Sequence, residues 1–363
     1  MGAPLAPRPV NLPQSAETLW ERGTPCPYDE VIDVRAPVEY EEDHLPGAVN
    51  LPVLNDDERA EVGTLYRQEG SFRAGKVGAA YVSVNIARHL REHFAGKARD
   101  YKPLLYCWRG GQRSSSIAHV LAQVGWRVTV LKGGYKNYRG HVRRELEAVP
   151  AEFDYRIIAG ATGTGKTRLL HALAARGAQV LDLEGLARHR GSVLGGGEVQ
   201  PTQKYFDSLL LAEFDRLVPG TPVWVEAESN RIGNVYLPSV LWAKMQASGG
   251  IEVQVPTAGR IQHLVAEYAN LIAEPERLTE KLRLLTSRHG LRQIEAWCQF
   301  TNAAKWDELV ESLLTVHYDP AYTASTERCY PNVNQPEPIE NATAPALDAL
   351  AERLHAPSAD PAA

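Results

Sequence analysis

Short apolar runs alternate with amphipathic segments along the first 150 residues. The stretches YDEVIDVR, YKPLLYCW and RVTVLKGGY are short and rich in aliphatic and aromatic residues, a pattern typical of buried strands. Between them, residues 78–95 and the segment SSSIAHVLAQVG repeat apolar positions at helical spacing. Strands that alternate with helices predict an α/β fold with a parallel sheet.

A second alternation starts near residue 150. The segment FDYRIIAGATGTGKTRLLHALAARGAQVLDLEG predicts a strand, a glycine-rich loop, a helix and another strand, and PVWVEAES predicts a further strand. After about residue 256 the pattern changes to long helices such as AGRIQHLVAEYANLIA. In that region we expect Trp297, Phe300 and Trp306, which recur at helical spacing, to lie in a core.

These changes of pattern divide the chain into five parts. We predict a flexible N-terminus over residues 1–23, an α/β domain over 24–147, a second α/β domain over 148–256, a helical region over 257–330 and a flexible tail over 331–363. The two ends are assigned as flexible because they are rich in proline and alanine.

Composition narrows the class of protein. A chain of 363 residues is long enough for two or three domains. It has no apolar stretch of about 18 residues and no basic-then-apolar leader, so we predict a cytoplasmic protein without a membrane segment. Four scattered cysteines without zinc spacing agree with a reducing compartment. The net charge of −5 gives no overall nucleic-acid signature, which leaves open a local basic patch.

One cysteine stands at the end of a predicted strand, in LLYCWRGGQRSSS. A loop that closes on a helix N-terminus directs backbone N–H groups inward and stabilises an anion. Such a loop would hold Cys107 as a thiolate, with Arg109 and Arg113 adding positive charge and Gly110 and Gly111 permitting a tight turn. The alternative is a buried structural thiol.

The second α/β pattern contains a G-x-x-x-x-G-K-T motif between a strand and a helix. In that context the motif predicts a P-loop, whose backbone amides bind phosphate groups while the lysine neutralises them. Thr167 is positioned to bind Mg²⁺ if the ligand brings that ion. The predicted phosphate-binding residues are Gly160, Gly163, Gly165, Lys166 and Thr167.

Carboxylates end the two strands that follow the P-loop. Asp182 and Glu184 end one strand, and Glu226 and Glu228 end the other. Because the carboxyl ends of parallel strands face the ligand crevice, we select Asp182 and Glu226 as ligand-site residues, to hold metal-bound water or act as a base. The alternative is that they are solvated loop carboxylates.

Two groups of basic residues are candidates for binding an RNA backbone. The first follows Asp182 and contains Arg188 and Arg190. The second lies on and just before a predicted helix. The alternative is that this helix is only a linker whose basic side chains face solvent. The members of the second group are Lys132, Lys136, Arg139, Arg143 and Arg144.

The first domain resembles the rhodanese family. VIDVRAPVEYEEDHLPGAVNLP is similar to the first rhodanese signature and GWRVTVLKGGYKNYR to the second, which places Cys107 where rhodaneses carry their reactive cysteine. In such a domain Asp33 and Arg35 are expected to pair structurally. Arg113 follows Cys107 by six positions rather than the five common in single-domain sulfurtransferases. The longer C-x5-R loop suits a phosphate-sized anion and also resembles dual-specificity phosphatases.

The whole arrangement resembles the bacterial tRNA 2-selenouridine synthases, a rhodanese-like domain fused to a P-loop NTPase-like domain. The segments YCWRGGQRS, GATGTGKT, DLEGLARHRGSVLG, QPTQKYFDSLL and ESNRIGNVYLPSVLWAKM occur in that family's order. The resemblance implies geranylation of wobble 2-thiouridine in tRNAs for Lys, Glu and Gln from geranyl diphosphate, followed by selenation from selenophosphate. It implies a selanyl-cysteine at Cys107, no tightly bound cofactor, and selenophosphate synthetase as a partner.

Two other functions agree with the motifs. One is a rhodanese-type sulfurtransferase that acts on RNA. The other is a C-x5-R phosphatase fused to a P-loop kinase-like domain, which would hydrolyse aryl phosphates through Cys107 independently of Lys166.

Overall fold

The computed structural model of the chain describes residues 12–16, 22–189 and 199–355, with the backbone alone for residues 323–327. The chain forms two compact units. The first contains residues 1–145 and 202–216, and the second contains residues 146–201 and 217–363. The α/β class predicted from the sequence is confirmed, because both units are built on parallel sheets.

The described strands and helices follow one another as the sequence pattern predicts over most of the chain. The strands are β1 Gln14–Ala16, β2 Glu30–Asp33, β3 Val49–Asn50, β4 Pro103–Tyr106, β5 Thr129–Leu131, β6 Tyr155–Ala159, β7 Gln179–Leu181, β8 Val223–Glu226, β9 Arg231–Ile232, β10 Val235–Tyr236, β11 Gly250–Gln254 and β12 Val333–Pro338. The α-helices are α1 Pro37–Glu42, α2 Asp56–Gln68, α3 Ser71–Glu92, α4 Gln112–Val124, α5 Gly134–Leu146, α6 Lys166–Ala175, α7 Leu183–Ala187, α8 Gln203–Phe214, α9 Ser239–Ala247, α10 Thr257–Glu267, α11 Ala269–Ile272, α12 Pro275–Arg283, α13 Thr286–His289, α14 Leu291–Asn302, α15 Trp306–Leu313, α16 Asp319–Cys329 and α17 Ala344–His355.

The first unit contains a five-stranded parallel sheet in the order β1-β5-β4-β2-β3. Strand β1 pairs with β5, so residues 14–16 do not belong to a flexible N-terminus and that part of the prediction is wrong. The central strand β4 is fully buried and ends at Tyr106, immediately before Cys107. This places the cysteine at the carboxyl edge of the sheet, where ligands bind in open α/β folds.

A buried ion pair fixes the turn after β2. Arg35 and Asp33 are both fully buried, and the guanidinium lies 2.6 Å from the carboxylate. The same guanidinium donates to the carbonyl oxygen of Asp43 and lies over the ring of Tyr135, 4.0 Å from its centroid. The structural role predicted for Asp33 and Arg35 is therefore confirmed.

Helix α8 packs in the first unit although its sequence lies inside the segment predicted as the second domain. Ser208 of this helix donates to the buried carboxylate of Asp43 at 2.8 Å, and Tyr135 donates to the other oxygen of that carboxylate. Burial raises the pKa of Asp43, an effect that these two hydrogen bonds partly offset. The predicted boundary at residue 148 does not anticipate this return of the chain to the first unit.

The second unit contains a parallel sheet in the order β12-β11-β6-β8-β7. Strand β6 lies in the middle and leads into the glycine-rich loop and helix α6, as predicted. Strand β12 and helix α17 lie in the predicted flexible tail, so that prediction is wrong for residues 331–355. The reason is packing: Leu347 and Leu350 of α17 are fully buried in the core that also contains Leu169 and Leu173 of α6.

The helical region of the second unit has its own core. Trp297 is fully buried, and Phe300 and Trp306 pack against the same cluster, which confirms the expectation for all three. The π-helix Leu314–Tyr318 joins α15 to α16. Among the described residues, no helix combines the length and the apolar character needed to cross a bilayer.

Candidate active site

The thiol of Cys107 lies in a loop of residues 107–113, here called the cysteine loop, between β4 and α4. The residue is buried, with 3% of its surface exposed. Its Sγ accepts hydrogen bonds from the backbone N–H of Gly111 and the hydroxyl of Ser114, both at 3.3 Å. Burial alone would raise the pKa of the thiol, but hydrogen bonds from the hydroxyl and the backbone N–H of Ser114 and from the N–H of Arg109, together with the charge of Arg113, lower it. The site therefore favours the nucleophilic thiolate.

Backbone contacts of the cysteine loop require glycine at two positions. Gly110 has φ +64, and a Cβ there would lie 2.5 Å from the carbonyl oxygen of Leu131. Gly134, with φ +53, would place a Cβ 2.2 Å from the carbonyl oxygen of Cys107. Gly111, the second glycine selected from the sequence for a tight turn, has φ −101, a value open to other residues, and supplies the N–H that reaches the sulfur. The glycines thus hold the strand end and the start of α5 in close contact.

The two arginines of the cysteine loop have different surroundings. Arg109 is exposed. Arg113 donates to the buried carboxylate of Glu39 at 2.7 Å, and Arg59 lies 2.9 Å from the same oxygen. The sequence reasoning did not select Glu39, because the pair joins residues 74 positions apart. Part of the charge expected from Arg113 is therefore neutralised within the first unit.

The glycine-rich loop of residues 160–167, here called the P-loop, connects β6 to α6 as predicted. Gly160, Gly163 and Gly165 all have positive φ. A Cβ on Gly163 would lie 2.9 Å from the Leu264 side chain, and one on Gly165 would lie 2.7 Å from Leu347. Neighbouring helices therefore pack directly on the loop, and side chains at these glycines would displace it.

Lys166 and Tyr322 lie against the P-loop backbone. The ammonium of Lys166 donates to the carbonyl oxygen of Gly160 at 2.8 Å, and the N–H of Gly160 donates to the hydroxyl of Tyr322 at 2.6 Å. Arg260 donates to the carbonyl oxygen of Thr162 at 2.8 Å and pairs with Asp319. Sequence reasoning selected Lys166 from the motif but missed Tyr322 and Arg260, which reach the loop through tertiary packing.

Three carboxylates meet beside the P-loop helix. Glu184, Glu226 and Glu228 each offer an oxygen, and these oxygens lie within 4.8 Å of one another. Burial and then mutual repulsion raise the pKa of Glu184 and of Glu228, and burial raises that of Glu226. One oxygen of Glu226, which is 4% exposed, has no hydrogen-bond partner among the described residues. A divalent cation could be coordinated by these carboxylate oxygens.

Asp182, the other carboxylate selected from the sequence, is engaged elsewhere. It caps α7 by accepting from the N–H of Gly185 at 2.7 Å, and it lies 2.8 Å from the ring nitrogen of His171. Of the two selected carboxylates only Glu226 belongs to the cluster, and the structure adds Glu184 and Glu228 to it.

The predicted basic residues differ in their surroundings. Lys132, Lys136, Arg143 and Arg144 are exposed on or just before α5. Arg139 is instead paired with Asp207, 2.5 Å away, and donates to the carbonyl oxygen of Lys204, so its charge is used to hold α8. Arg188 is exposed and has left-handed backbone geometry at the end of α7. Arg190 lies outside the described residues.

Comparison with known proteins agrees with this two-unit architecture. A family model described as a rhodanese-like domain matches residues 15–141. A second, described as the AAA domain of tRNA 2-selenouridine synthase, matches residues 153–337. The chain is therefore a fusion of a rhodanese-like domain with an AAA-type P-loop domain, which confirms both predicted folds.

Curated relatives define the family more closely. A tRNA 2-selenouridine synthase of Nitrosomonas europaea is 38% identical over 73% of this chain and 70% of its own length. Those of Bdellovibrio bacteriovorus and a Sulfurovum species are 32% and 34% identical, each over 87% of this chain and more than nine tenths of their own length. The chain belongs to the tRNA 2-selenouridine synthase family.

Proposed function

We propose that this chain is a tRNA-modifying transferase that converts wobble 2-thiouridine into 2-selenouridine in two steps. Family membership supports the overall conversion. The observation that carries the two-step proposal is the presence, in one chain, of a thiolate-stabilising loop and a P-loop. The first suits a phosphate-bearing selenium donor, and the second suits a diphosphate leaving group.

The P-loop unit is proposed to catalyse geranylation. The sulfur of 2-thiouridine attacks C1 of geranyl diphosphate, a C–S bond forms as the C–O bond breaks, and the base loses its N3 proton. Diphosphate leaves with the bonding electron pair. The P-loop amides and Lys166 would stabilise the charge that develops on this leaving group.

Mg²⁺ is proposed to accompany the diphosphate. Thr167 and the glutamates of the carboxylate cluster would hold the ion, since hydroxyl and carboxylate oxygens are the ligands it prefers. When bound, the ion would neutralise charge on the leaving group. The pKa values of Glu184 and Glu228 are raised because their negative charges are buried close together. Either protons or a cation would relieve this repulsion.

The rhodanese-like unit is proposed to catalyse selenation with Cys107 as nucleophile. Selenophosphate would occupy the cysteine loop, with Arg109, Arg113 and the loop amides holding its phosphate oxygens. Selenium at the selenide level then attacks C2 of the geranylated base, so that a C–Se bond forms as the C–S bond breaks and geranylthiol leaves; from a selanyl-cysteine the same step also requires a thiol that reduces the S–Se bond. We infer selenophosphate synthetase as the source of the donor.

Two cysteine adducts are chemically distinct outcomes of the thiolate attack. Attack on selenium gives a selanyl-cysteine and leaves the electron pair of the P–Se bond on phosphorus, so phosphate forms only if an oxidant is added. Attack on phosphorus releases hydrogen selenide and leaves an S-phosphocysteine without redox change. The selenium isotope pattern in the mass spectrum of the Cys107 peptide distinguishes the two.

The tRNA is proposed to approach the exposed basic residues. Lys136, Arg143 and Arg144 on α5 and Arg188 after α7 would contact phosphates of tRNAs for Lys, Glu and Gln in the cytoplasm. Affinity should fall steeply as salt rises, and charge reversal of Arg143 and Arg144 together should reduce the salt dependence. Unchanged binding after charge reversal would remove α5 from the interface.

The test is nucleoside analysis of bulk tRNA from cells with and without this gene, grown with selenium. We expect 2-selenouridine and traces of S-geranyl-2-thiouridine only when the gene is present. If both nucleosides are missing in its presence, the proposal fails. If the tRNA gains sulfur but no selenium, and this depends on Cys107, the chain is instead an RNA sulfurtransferase. If it hydrolyses aryl phosphates and this activity does not depend on Lys166, it is a phosphatase.

A further inference from the structure

An apolar pocket lies among the helices of the second unit. It is bounded by α10, α11, α12, α15 and the π-helix Leu314–Tyr318, and it has a volume of about 550 Å³ with its open mouth included. Most of its wall is aliphatic or aromatic, with Leu264, Ile272, Leu278, Trp306 and Val310 among the lining residues. A concave and mostly apolar lining of this kind is typical of small-molecule sites.

One wall of this pocket belongs to the P-loop. Thr162 lines the pocket, and its carbonyl oxygen accepts a hydrogen bond from Arg260 of α10 at 2.8 Å. Leu264, one turn further along α10, also lines the pocket and packs against Gly163. The pocket therefore begins at the loop whose amides would bind an anionic group.

The lining selects a hydrocarbon rather than a nucleoside. Its residues include no charged side chain, and the polar groups are the hydroxyls of Thr162, Tyr268 and Tyr318 and the indole N–H of Trp306. A purine and ribose would bury more donors and acceptors than these groups can satisfy, and each unsatisfied group costs free energy. A branched hydrocarbon chain would instead gain by leaving water.

From this arrangement we propose that the pocket holds the hydrocarbon tail of the diphosphate substrate, with Val310 and Ile272 among the side chains that would contact that tail. The inference rests on the proposed geranylation and adds the subsite that selects the donor. The π-helix supports it, since such widened turns occur frequently at functional sites, and this one contributes Leu314 and Tyr318 to the wall.

The test is titration calorimetry of the full-length chain with inorganic, dimethylallyl, geranyl and farnesyl diphosphate. We expect the wild type to bind geranyl diphosphate at least about tenfold more tightly than dimethylallyl diphosphate, because more apolar surface is buried. Val310→Phe should remove this preference without changing the affinity for inorganic diphosphate. Val310→Ala combined with Ile272→Ala should favour farnesyl diphosphate.

Val316→Phe is the matched control, because Val316 is 40% exposed on the π-helix and is not among the pocket-lining residues. If Val310→Phe binds geranyl diphosphate as tightly as the wild type does, the pocket is not the subsite. If the wild type binds prenyl diphosphates with this preference but alkylates no tRNA, the proposed function fails while the subsite stands. If it binds none of them, both fail.

Discussion

At the scale of single residues, the pKa of Cys107 depends on groups that lie close to it in the sequence. The thiol is buried, which by itself disfavours a charge, yet Gly111 and Ser114 both donate to the sulfur. These short-range contacts follow from the C-x5-R segment and the small residue at the start of α4. For that reason the sequence alone was enough to select Cys107 as the candidate nucleophile.

Ser114→Ala should raise the pKa of Cys107. Losing one hydrogen bond to the thiolate, worth roughly 1.5 kcal/mol, corresponds to about one pKa unit. The pH dependence of iodoacetamide labelling, followed on the Cys107 peptide by mass spectrometry, measures this shift. Ser116→Ala, which loses a hydroxyl on the exposed face of the same helix, is the control. An unchanged labelling profile for Ser114→Ala would show that Ser114 does not stabilise the thiolate.

Glu39→Gln should destabilise the first unit by about 2 kcal/mol, because it leaves Arg113 and Arg59 without their shared carboxylate. The buried carboxylate is disfavoured by desolvation, but Arg113 outweighs this and the pKa of Glu39 is lowered. Its stabilisation is therefore present above the ordinary glutamate pKa and is lost as pH falls through the lowered value. Thermal unfolding at neutral and acidic pH measures both effects.

Glu42→Gln is the matched control for Glu39→Gln. Glu42 belongs to the same helix, but its ion pair with Lys204 is exposed on both sides, and such pairs contribute little. Equal melting temperatures of the two variants at neutral pH would contradict the structural role of Glu39.

At the scale of elements, the chain end shows where sequence reasoning reached its limit. The alanine- and proline-rich composition of residues 331–363 predicted a flexible tail. The apolar spacing of Leu347, Leu350 and Leu354 was the available signal for a helix, since these residues recur at three or four positions. Local composition could not show that α6 leaves an apolar face for this helix to cover.

Leu350→Ala should destabilise the second unit by about 3 kcal/mol, since it removes a fully buried side chain from the contact between α17 and α6. Because α6 begins at the P-loop, affinity for inorganic diphosphate should fall in the same variant. Leu291→Ala, at a position that is 69% exposed, should change neither quantity. Wild-type stability of Leu350→Ala would show that α17 does not contribute to this core.

At the scale of the whole molecule, the sequence located both candidate sites but not the distant residues that contact them. Cys107 and Lys166 lie in contiguous motifs, so residue order alone identified them. The sequence selected Arg139 for tRNA binding, but its guanidinium pairs with Asp207. The sequence did not reveal this pair because the two residues lie 68 positions apart. Glu184 and Glu228 were recognised as strand-end carboxylates, but their convergence with Glu226 depends on how two strands align in the sheet.

The carboxylate cluster predicts a link between pH and metal binding. Its raised pKa values mean that the folded state binds protons more tightly than the unfolded state, so stability falls as pH rises above the ordinary glutamate value. Since Mg²⁺ binds the ionised form, the Mg²⁺-induced rise in melting temperature should be larger at about pH 8 than at about pH 6. Glu226→Gln should reduce this rise, and Glu276→Gln, on an exposed helix face, should not. A pH-independent Mg²⁺ effect would contradict binding at the cluster.

The central claim is that one chain performs two separable steps at two sites. The most direct measurement is mass analysis of nucleosides from 2-thiouridine tRNA incubated with geranyl diphosphate, selenophosphate and either Cys107→Ser or Lys166→Ala. We predict that Cys107→Ser stops at S-geranyl-2-thiouridine, and that Lys166→Ala leaves most 2-thiouridine unchanged. Formation of 2-selenouridine by Cys107→Ser at the wild-type rate would contradict the account.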